Sequence, residues 1–234
     1  MISVCMTTYK GEKYREVQIT SILENISEND ELIISEDGQG EEAEAFLEDL
    51  NKRGAPIVPI KGPGKGVVAN FEYALRYAKG DIIFLADQDD IWTTDKVEKV
   101  MKAFQNPECM LVIHDADIIN EKDEQIAESF FAFRNSRPGL LKNIWKNSYI
   151  GCCMAFRREL LDEALPFPQK GTLHDQWLGL MAEKKGKVIF LSDKLVHYRR
   201  HSENVSGMQH LPVGQMLSNR LHLVISLTKR KCSK

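Results

Sequence analysis

Three carboxylates fall within four residues at Asp87-Gln88-Asp89-Asp90, directly after an apolar run over residues 82–86. Like charges packed so closely cost free energy unless a cation shares the site. Oxygen ligands of this type suit Mg²⁺ or Mn²⁺, and an ion held there would bridge a diphosphate and stabilise its departure. An isolated D-x-D is more often a solvated turn capping the next helix. What separates this cluster from that ordinary use is its place, at the end of an apolar run and third in a series of such polar run ends.

The other two run ends are Thr7-Thr8-Tyr9 and Glu36-Asp37-Gly38. Asp37 either accepts a hydrogen bond from a nucleoside or makes a plain Asp-Gly turn. Gly62-Pro63-Gly64-Lys65-Gly66 invites a phosphate-loop reading, yet Gly66 stands where that motif needs Ser or Thr. The motif is therefore rejected. Lys65 still precedes a helix start, where backbone N–H groups and the helix dipole favour an anion, so it is a donor-contact candidate beside the alternative of a flexible turn.

Two further constellations lie in the second half. In His174-Asp175-Gln176-Trp177 the carboxylate of Asp175 could take the proton from an attacking hydroxyl, or merely stabilise a helix start. In the polar segment from His197 through Gly207, which includes Glu203, Val205 and Ser206, Arg199 and Arg200 could neutralise phosphate charge. His201 could complete a metal shell through an imidazole nitrogen. The competing reading is a surface loop with an ordinary basic pair.

The elements that must position these groups alternate in type. Periodicity predicts strands over 2–8, 31–35, 56–60 and 81–86, separated by helices over 13–25, 42–52 and 67–78. A further helix capped by Thr93 or Thr94 runs to residue 105, before Pro107. This alternation implies parallel strands with right-handed crossovers, hence a doubly wound sheet that gathers ligands at its carboxyl edge. Beyond residue 111 the pattern is mixed, with strands over 110–114, 149–156, 187–191 and 195–199, a helix from His174 to about 185, and an irregular polar stretch between. One domain over 1–212 is expected, with a nucleotide-binding half (1–108) and an acceptor-side half (109–212).

Composition narrows the class. A net charge of −3 in 234 residues, 28% of them charged, is that of an ordinary protein rather than a nucleic-acid binder. Cys5, Cys109, Cys152, Cys153 and Cys232 are odd in number and form no C-x-x-C pair, which fits buried free thiols. Without a signal-peptide pattern or an apolar run long enough to span a bilayer, a cytoplasmic location is expected. Residues 213–234 mix Met216, Leu217, Leu221, Leu223, Val224, Ile225 and Leu227 with Arg220, Lys229, Arg230, Lys231 and Lys234. That is a basic amphipathic helix or tail, which either packs on the core or makes peripheral membrane contact.

Taken in order, these motifs resemble the family 2 glycosyltransferases of the GT-A fold, particularly bacterial enzymes that build cell-surface polysaccharides. The resemblance runs from residue 2 to about residue 207. It rests on Val4-Cys5-Met6-Thr7-Thr8-Tyr9, Ser35-Glu36-Asp37-Gly38, residues 70–75, Phe84-Leu85-Ala86-Asp87-Gln88-Asp89-Asp90-Ile91-Trp92, His174-Asp175-Gln176-Trp177 and Tyr198-Arg199-Arg200-His201. It implies an α/β GT-A (Rossmann-like) fold, a doubly wound and mostly parallel sheet with a mixed acceptor-side region. It further implies Thr8, Tyr9 and Asp37 around the nucleoside, Asp87 on the ribose or sugar, Asp89 on Mn²⁺ or Mg²⁺, and Asp175 as base in a direct, inverting displacement.

Two departures refine what is implied. His174-Asp175 stands where the family often has Glu-Asp, and the Q-x-x-R-W segment of processive synthases is absent. A non-processive enzyme adding one sugar to a glycan or lipid-linked acceptor is expected. The Asp-Gln-Asp-Asp-Ile-Trp form is similar to that of rhamnosyl- and related hexosyltransferases, leaving dTDP-rhamnose and UDP-hexoses as donors. A sugar-1-phosphate nucleotidylyltransferase would carry a Gly-rich basic signature where Thr8-Tyr9-Lys10-Gly11 stands, and a HAD phosphatase would need Thr or Val at Ile91. A non-catalytic nucleotide-sugar-binding partner would keep Asp37 and Asp89 without needing Asp175.

Overall fold

The computed structural model describes residues 1–170, 173–202, 204 and 212–230. Glu203 and Val205-Ser206-Gly207 of the polar segment, and Lys231, Cys232 and Lys234 of the tail, lie outside them. The first half runs β1 (Ile2–Thr8), α1 (Arg15–Leu23), β2 (Glu31–Glu36), α2 (Glu41–Arg53), β3 (Ile57–Lys61), α3 (Val67–Leu75), β4 (Ile82–Ala86), β5 (Ile91–Trp92) and α4 (Lys96–Ala103). The second half runs β6 (Cys109–Ile119), β7 (Gln125–Ala127), α5 (Phe130–Arg134), α6 (Leu140–Trp145), β8 (Met154–Arg157), α7 (Leu161–Ala164), α8 (His174–Lys185), β9 (Lys187–Arg199) and α9 (Val213–Lys229).

One sheet organises both halves, in the order β3-β2-β1-β4-β8-β6-β9-β5, with β7 on β6. Strands β1, β2 and β4 are buried along their whole length, the near-continuous apolar pattern of parallel strands covered on both faces. Pro59, which cannot donate to a ladder, is tolerated because β3 ends the sheet. Helix α2 lays Ala43, Phe46 and Leu50 against the core at helical spacing. The parallel registers Thr8↔Glu36 and Met6↔Ala86 bring all three polar run ends to one edge.

The second half differs from its expected pattern in ways that matter for the site. β8 enters the sheet antiparallel to both β4 and β6, so the parallel order breaks at the centre. It is also shorter than the expected strand over 149–156, because the chain makes a 3-10 turn at Gly151–Cys153. That turn lies tight against α8, where a Cβ on Gly151 would sit 2.8 Å from His174 Nε2. The two strands expected over 187–199 are one, β9, which pairs parallel with β6 through several register shifts. β5 pairs Ile91 with His197 and Trp92 with Val196, tying the acidic turn to the end of β9. The stretch expected to be irregular contains β7, α5 and α6.

Neither threonine caps α4. Its N-cap is Asp95, which makes no side-chain cap bond, and Thr93 instead donates its hydroxyl to Asp95 Oδ1 at 2.7 Å. Cys5, Cys109, Cys152 and Cys153 are buried free thiols, as expected.

Candidate active site

The carboxyl edge of the sheet is stitched together by side chains that periodicity does not mark. Gln88 reaches from the end of β4 to the end of β1, accepting from Tyr9 N–H (2.7 Å) and donating to Tyr9 C=O (3.0 Å). The approach requires Gly11, where a Cβ would lie 2.3 Å from the Gln88 oxygen. Thr8 is buried and donates to Glu36 Oε2 at 2.8 Å, while Glu36 Oε1 accepts Gly38 N–H at 2.7 Å. Thr8 therefore braces the β1 and β2 ends from beneath. The exposed Tyr9 and its neighbour Lys10 border a cleft of about 210 Å³, lined also by Glu36, Gly38, Gln39 and Ala43.

Asp37 is only 6% exposed, and both its oxygens are engaged. Oδ1 accepts Gly64 N–H at 2.7 Å and Oδ2 accepts Gly66 N–H at 2.8 Å. Both glycines adopt left-handed φ, +66° and +86°, which turns these N–H groups inward and is costly for any other residue. The anion expected at the α3 start is thus the chain's own Asp37 carboxylate, and Lys65 is exposed above it. Removing the carboxylate leaves two N–H donors without their partner. Asp37→Ala is expected to lose about 2–4 kcal/mol of stability. In a chain of this length that lowers Tm by roughly 5–10 °C, checked by calorimetry.

The acidic turn is held from the far end of β9. Arg199 N–H donates to Asp90 Oδ1 (3.0 Å), and its guanidinium donates to Asp89 C=O (2.8 Å), Asn120 C=O (3.1 Å) and the Asp123 carboxylate. That guanidinium also sits over the Tyr14 ring at 4.5 Å. At 3% exposure Arg199 is a clamp on the turn, not the open phosphate contact expected of it. Arg200, half-buried, follows it in the chain. His201 turns its Nε2 to Asp89 Oδ2 at 2.7 Å, and Asn204 Nδ2 reaches the same oxygen at 3.2 Å.

Behind this pair the carboxylates of Asp87 and Asp90 and the thiol of Cys152 converge within 4.8 Å of one another. Desolvation, reinforced by Asp89 and Asp175, pushes the Asp87 carboxyl up to about 7. Asp90 is raised by burial and by Asp89 and Asp87. Lys96 lies fully buried on the inner side, donating to Cys152 C=O at 2.8 Å and facing the Trp92 ring at 3.8 Å. Burial lowers its ammonium to about 8.

Asp175 opens α8, with Oδ1 accepting Gln176 N–H (2.5 Å) and Asn147 Nδ2–H (3.4 Å). Desolvation raises it to about 6. Its charge contributes to raising Asp87, so α8 brings a carboxylate within electrostatic reach of the end of β4 from the opposite half of the chain. His174 stacks on Phe71 at 4.2 Å and is held neutral by burial.

The sequence fits a known family pattern. The model described as glycosyl transferase family 2 matches residues 3–165. An uncharacterized glycosyltransferase of Nostoc sp. is 26% identical over an alignment of 212 residues that covers 87% of this chain and 66% of that protein. The UDP-Glc:alpha-D-GlcNAc-diphosphoundecaprenol beta-1,3-glucosyltransferase WfgD of Escherichia coli is 24% identical over 209 residues, covering 88% and 80% of the two chains. Among solved structures, S. aureus TarS 1–349 in complex with UDP-GlcNAc superposes with a TM-score of 0.73 at 16% identity, covering 99% of this chain and 68% of that one. The chain therefore spans about two thirds of the length of the Nostoc relative and of TarS 1–349, and the shared fold is GT-A.

Proposed function

Because the chain belongs to glycosyl transferase family 2, we propose that it transfers a single sugar from a nucleotide-sugar to a glycan or lipid-linked acceptor. The donor is dTDP-rhamnose or a UDP-hexose, the product belongs to a cell-surface polysaccharide, and the anomeric carbon inverts. The observation that carries this reading is the Asp89–His201 pair standing beside Asp87, whose carboxyl in turn feels Asp175. WfgD, named for beta-1,3-glucosyl transfer from UDP-Glc to alpha-D-GlcNAc-diphosphoundecaprenol, a lipid-linked saccharide, supports both the donor class and the acceptor class.

The residues fit a divalent ion. Two ligands bound side by side on Mn²⁺ or Mg²⁺ are about 3 Å apart, and Asp89 Oδ2 and His201 Nε2 stand at 2.7 Å with little rearrangement needed. A carboxylate with an imidazole suits such an ion, and Asp87 and Asp90, raised first by burial and then by repulsion from Asp89, add carboxylates beside the pair. When bound, the ion supplies charge that stabilises the departing nucleoside diphosphate.

The chain's own residues do the rest. Tyr9 borders the cleft that takes the nucleoside, over a floor that Thr8 and Asp37 hold in shape. Asp87 contacts ribose or sugar, while Lys65 and Arg200 bring positive charge toward the phosphates, and Arg199 fixes the turn that carries Asp89. Asp175 accepts the proton of the acceptor hydroxyl.

This base must be ionised to work. With its carboxyl raised to about 6, the ionised form dominates only above that pH, so activity falls as pH drops through about 6. We expect kcat/KM to decline roughly tenfold per pH unit below it. A flat profile between pH 5 and 8 would remove Asp175 from the proton transfer.

The test of the reaction class is a panel of UDP-, dTDP- and GDP-sugars incubated with the protein and Mn²⁺ or Mg²⁺. Metal-dependent release of nucleoside diphosphate from one donor is the expected result. Pyrophosphate release from a nucleoside triphosphate and a sugar 1-phosphate would instead establish a nucleotidylyltransferase. Donor binding with no turnover in the presence of lipid-linked and free saccharides would favour a non-catalytic binder.

A further inference from the structure

We propose that α6 and α9 together form a surface that docks on an anionic lipid bilayer. α9 turns Leu223 and Leu227, 1% and 5% exposed, into the core. Four other apolar residues, Leu217, Leu221, Val224 and Ile225, are 53%, 61%, 39% and 41% exposed, at spacings of four, three and one that put them on one outward stripe. α6 adds Leu141 and Trp145, one turn apart and 81% and 65% exposed. The two helices adjoin through Arg220, whose guanidinium lies 4.2 Å from the Trp145 ring centroid and donates to Trp145 C=O at 2.7 Å. Exposed apolar surface of this kind marks a contact site.

Charge identifies the partner. In a chain of net charge −3, residues 129–158 and 204–234 contain no Asp or Glu, yet carry Arg134, Arg137, Lys142, Lys146, Lys229 and Arg230 among their basic residues. The acids are confined to the rest of the molecule. An apolar stripe whose own two segments carry cations and no acids, the neighbouring carboxylate of half-buried Glu183 being tied to Gly139 N–H and Tyr149, fits the headgroup region of an anionic membrane, with Trp145 at the depth where indole rings settle. No helix of the described residues is long and apolar enough to cross the bilayer, so the contact lies on the surface.

The surface is also one helix from the proposed base. Gln176 Nε2 donates to Asn143 C=O at 2.7 Å, and Asn147 reaches Asp175 Oδ1. A saccharide carried on a membrane lipid would be presented to Asp175 across α6. That last step rests on the transfer reading; the docking does not.

Flotation of the full chain with vesicles tests it. The chain is expected to float with phosphatidylglycerol/phosphatidylcholine vesicles and to bind pure phosphatidylcholine at least about tenfold more weakly. The double variant Leu221→Ser/Trp145→Ser should lose at least about tenfold in binding, and Lys146→Glu/Lys229→Glu should do the same at low salt. All four side chains are exposed, so thermal unfolding and donor turnover on a water-soluble acceptor should stay at wild-type values, which separates docking from the transfer reading. Wild-type protein that stays out of the vesicle fraction, or variants that float unchanged, would overturn the proposal. So would a wild-type dimer in sedimentation that becomes monomeric in Leu221→Ser/Trp145→Ser without any vesicle binding, since the stripe would then belong to a second copy of the chain.

Discussion

Asp89→Ala is expected to lower kcat/KM by about 100- to 1,000-fold, the usual effect of removing one group that stabilises developing charge on a leaving group. The loss should be specific because the turn does not depend on that carboxylate. Arg199 holds it through the Asp89 carbonyl and the Asp90 side chain, and neither contact changes in the variant. The lost hydrogen bonds to His201 and Asn204 are offset by relief of the repulsion Asp89 exerts on Asp87 and Asp90, so thermal unfolding should move little, while Mn²⁺ affinity in the presence of nucleoside diphosphate, read by electron paramagnetic resonance, should collapse. His201→Ala should weaken Mn²⁺ binding less, because carboxylate ligands remain. If Mn²⁺ binds Asp89→Ala as it binds wild type, the Asp89–His201 pair is an internal hydrogen bond and no more.

Asp175→Asn should act on the other side of the reaction. Loss of a general base costs typically 100- to 10,000-fold in rate. The expected signature is a fall in kcat with donor affinity intact, since Asp175 sits at the start of α8 and not among the residues lining the cleft at Tyr9 proposed for the nucleoside. A folding defect is not expected to mimic it. The Asp175 carboxyl is raised by burial, so its ionised form is a burden on the folded state above about pH 6. Its stabilising contribution is present at lower pH and lost as pH rises through that value. The neutral amide should leave the protein at least as stable as wild type at pH 8. A parallel loss of kcat and donor affinity would point to a positioning role for Asp175 in place of proton transfer.

The sequence carried the first half of this architecture because its elements are local. Apolar runs such as 2–8 and 82–86 could only be buried parallel strands, and the polar residues ending them had to share one edge. α8 was legible from its start at His174, although it is not the amphipathic helix expected: Trp177 through Ala182 are all buried. What the sequence did not carry depends on partners distant in the chain. β8 looked like a longer strand because nothing local announces that Gly151 must pack on His174. β5, two residues long, exists only through its pairing with β9.

The site divides along the same line. The positions of Asp87 and Asp89 follow from where β4 ends, and that of Asp175 from where α8 begins. The engagement of Asp37 by Gly64 and Gly66, and of Arg199 by the acidic turn, is set by loops that fold back across the sheet edge. Lys96 left no signal, since on α4 it reads as a solvated surface lysine. Its burial arises from Cys152 and Trp92, 56 residues apart from one partner and adjacent in space to both. Only Gln88 offered a hint, as the uncharged member of the acidic run whose amide both donates and accepts.

The proposed mechanism has a single chemical consequence that tests it most directly. Asp89 and His201 act on the leaving diphosphate while Asp175 acts on the incoming hydroxyl, so both bonds change in one displacement. The measurement is the anomeric configuration of the transferred sugar, read by proton NMR in the early product of the donor identified from the panel. Inversion relative to the donor is the result the account requires, and retention would contradict it.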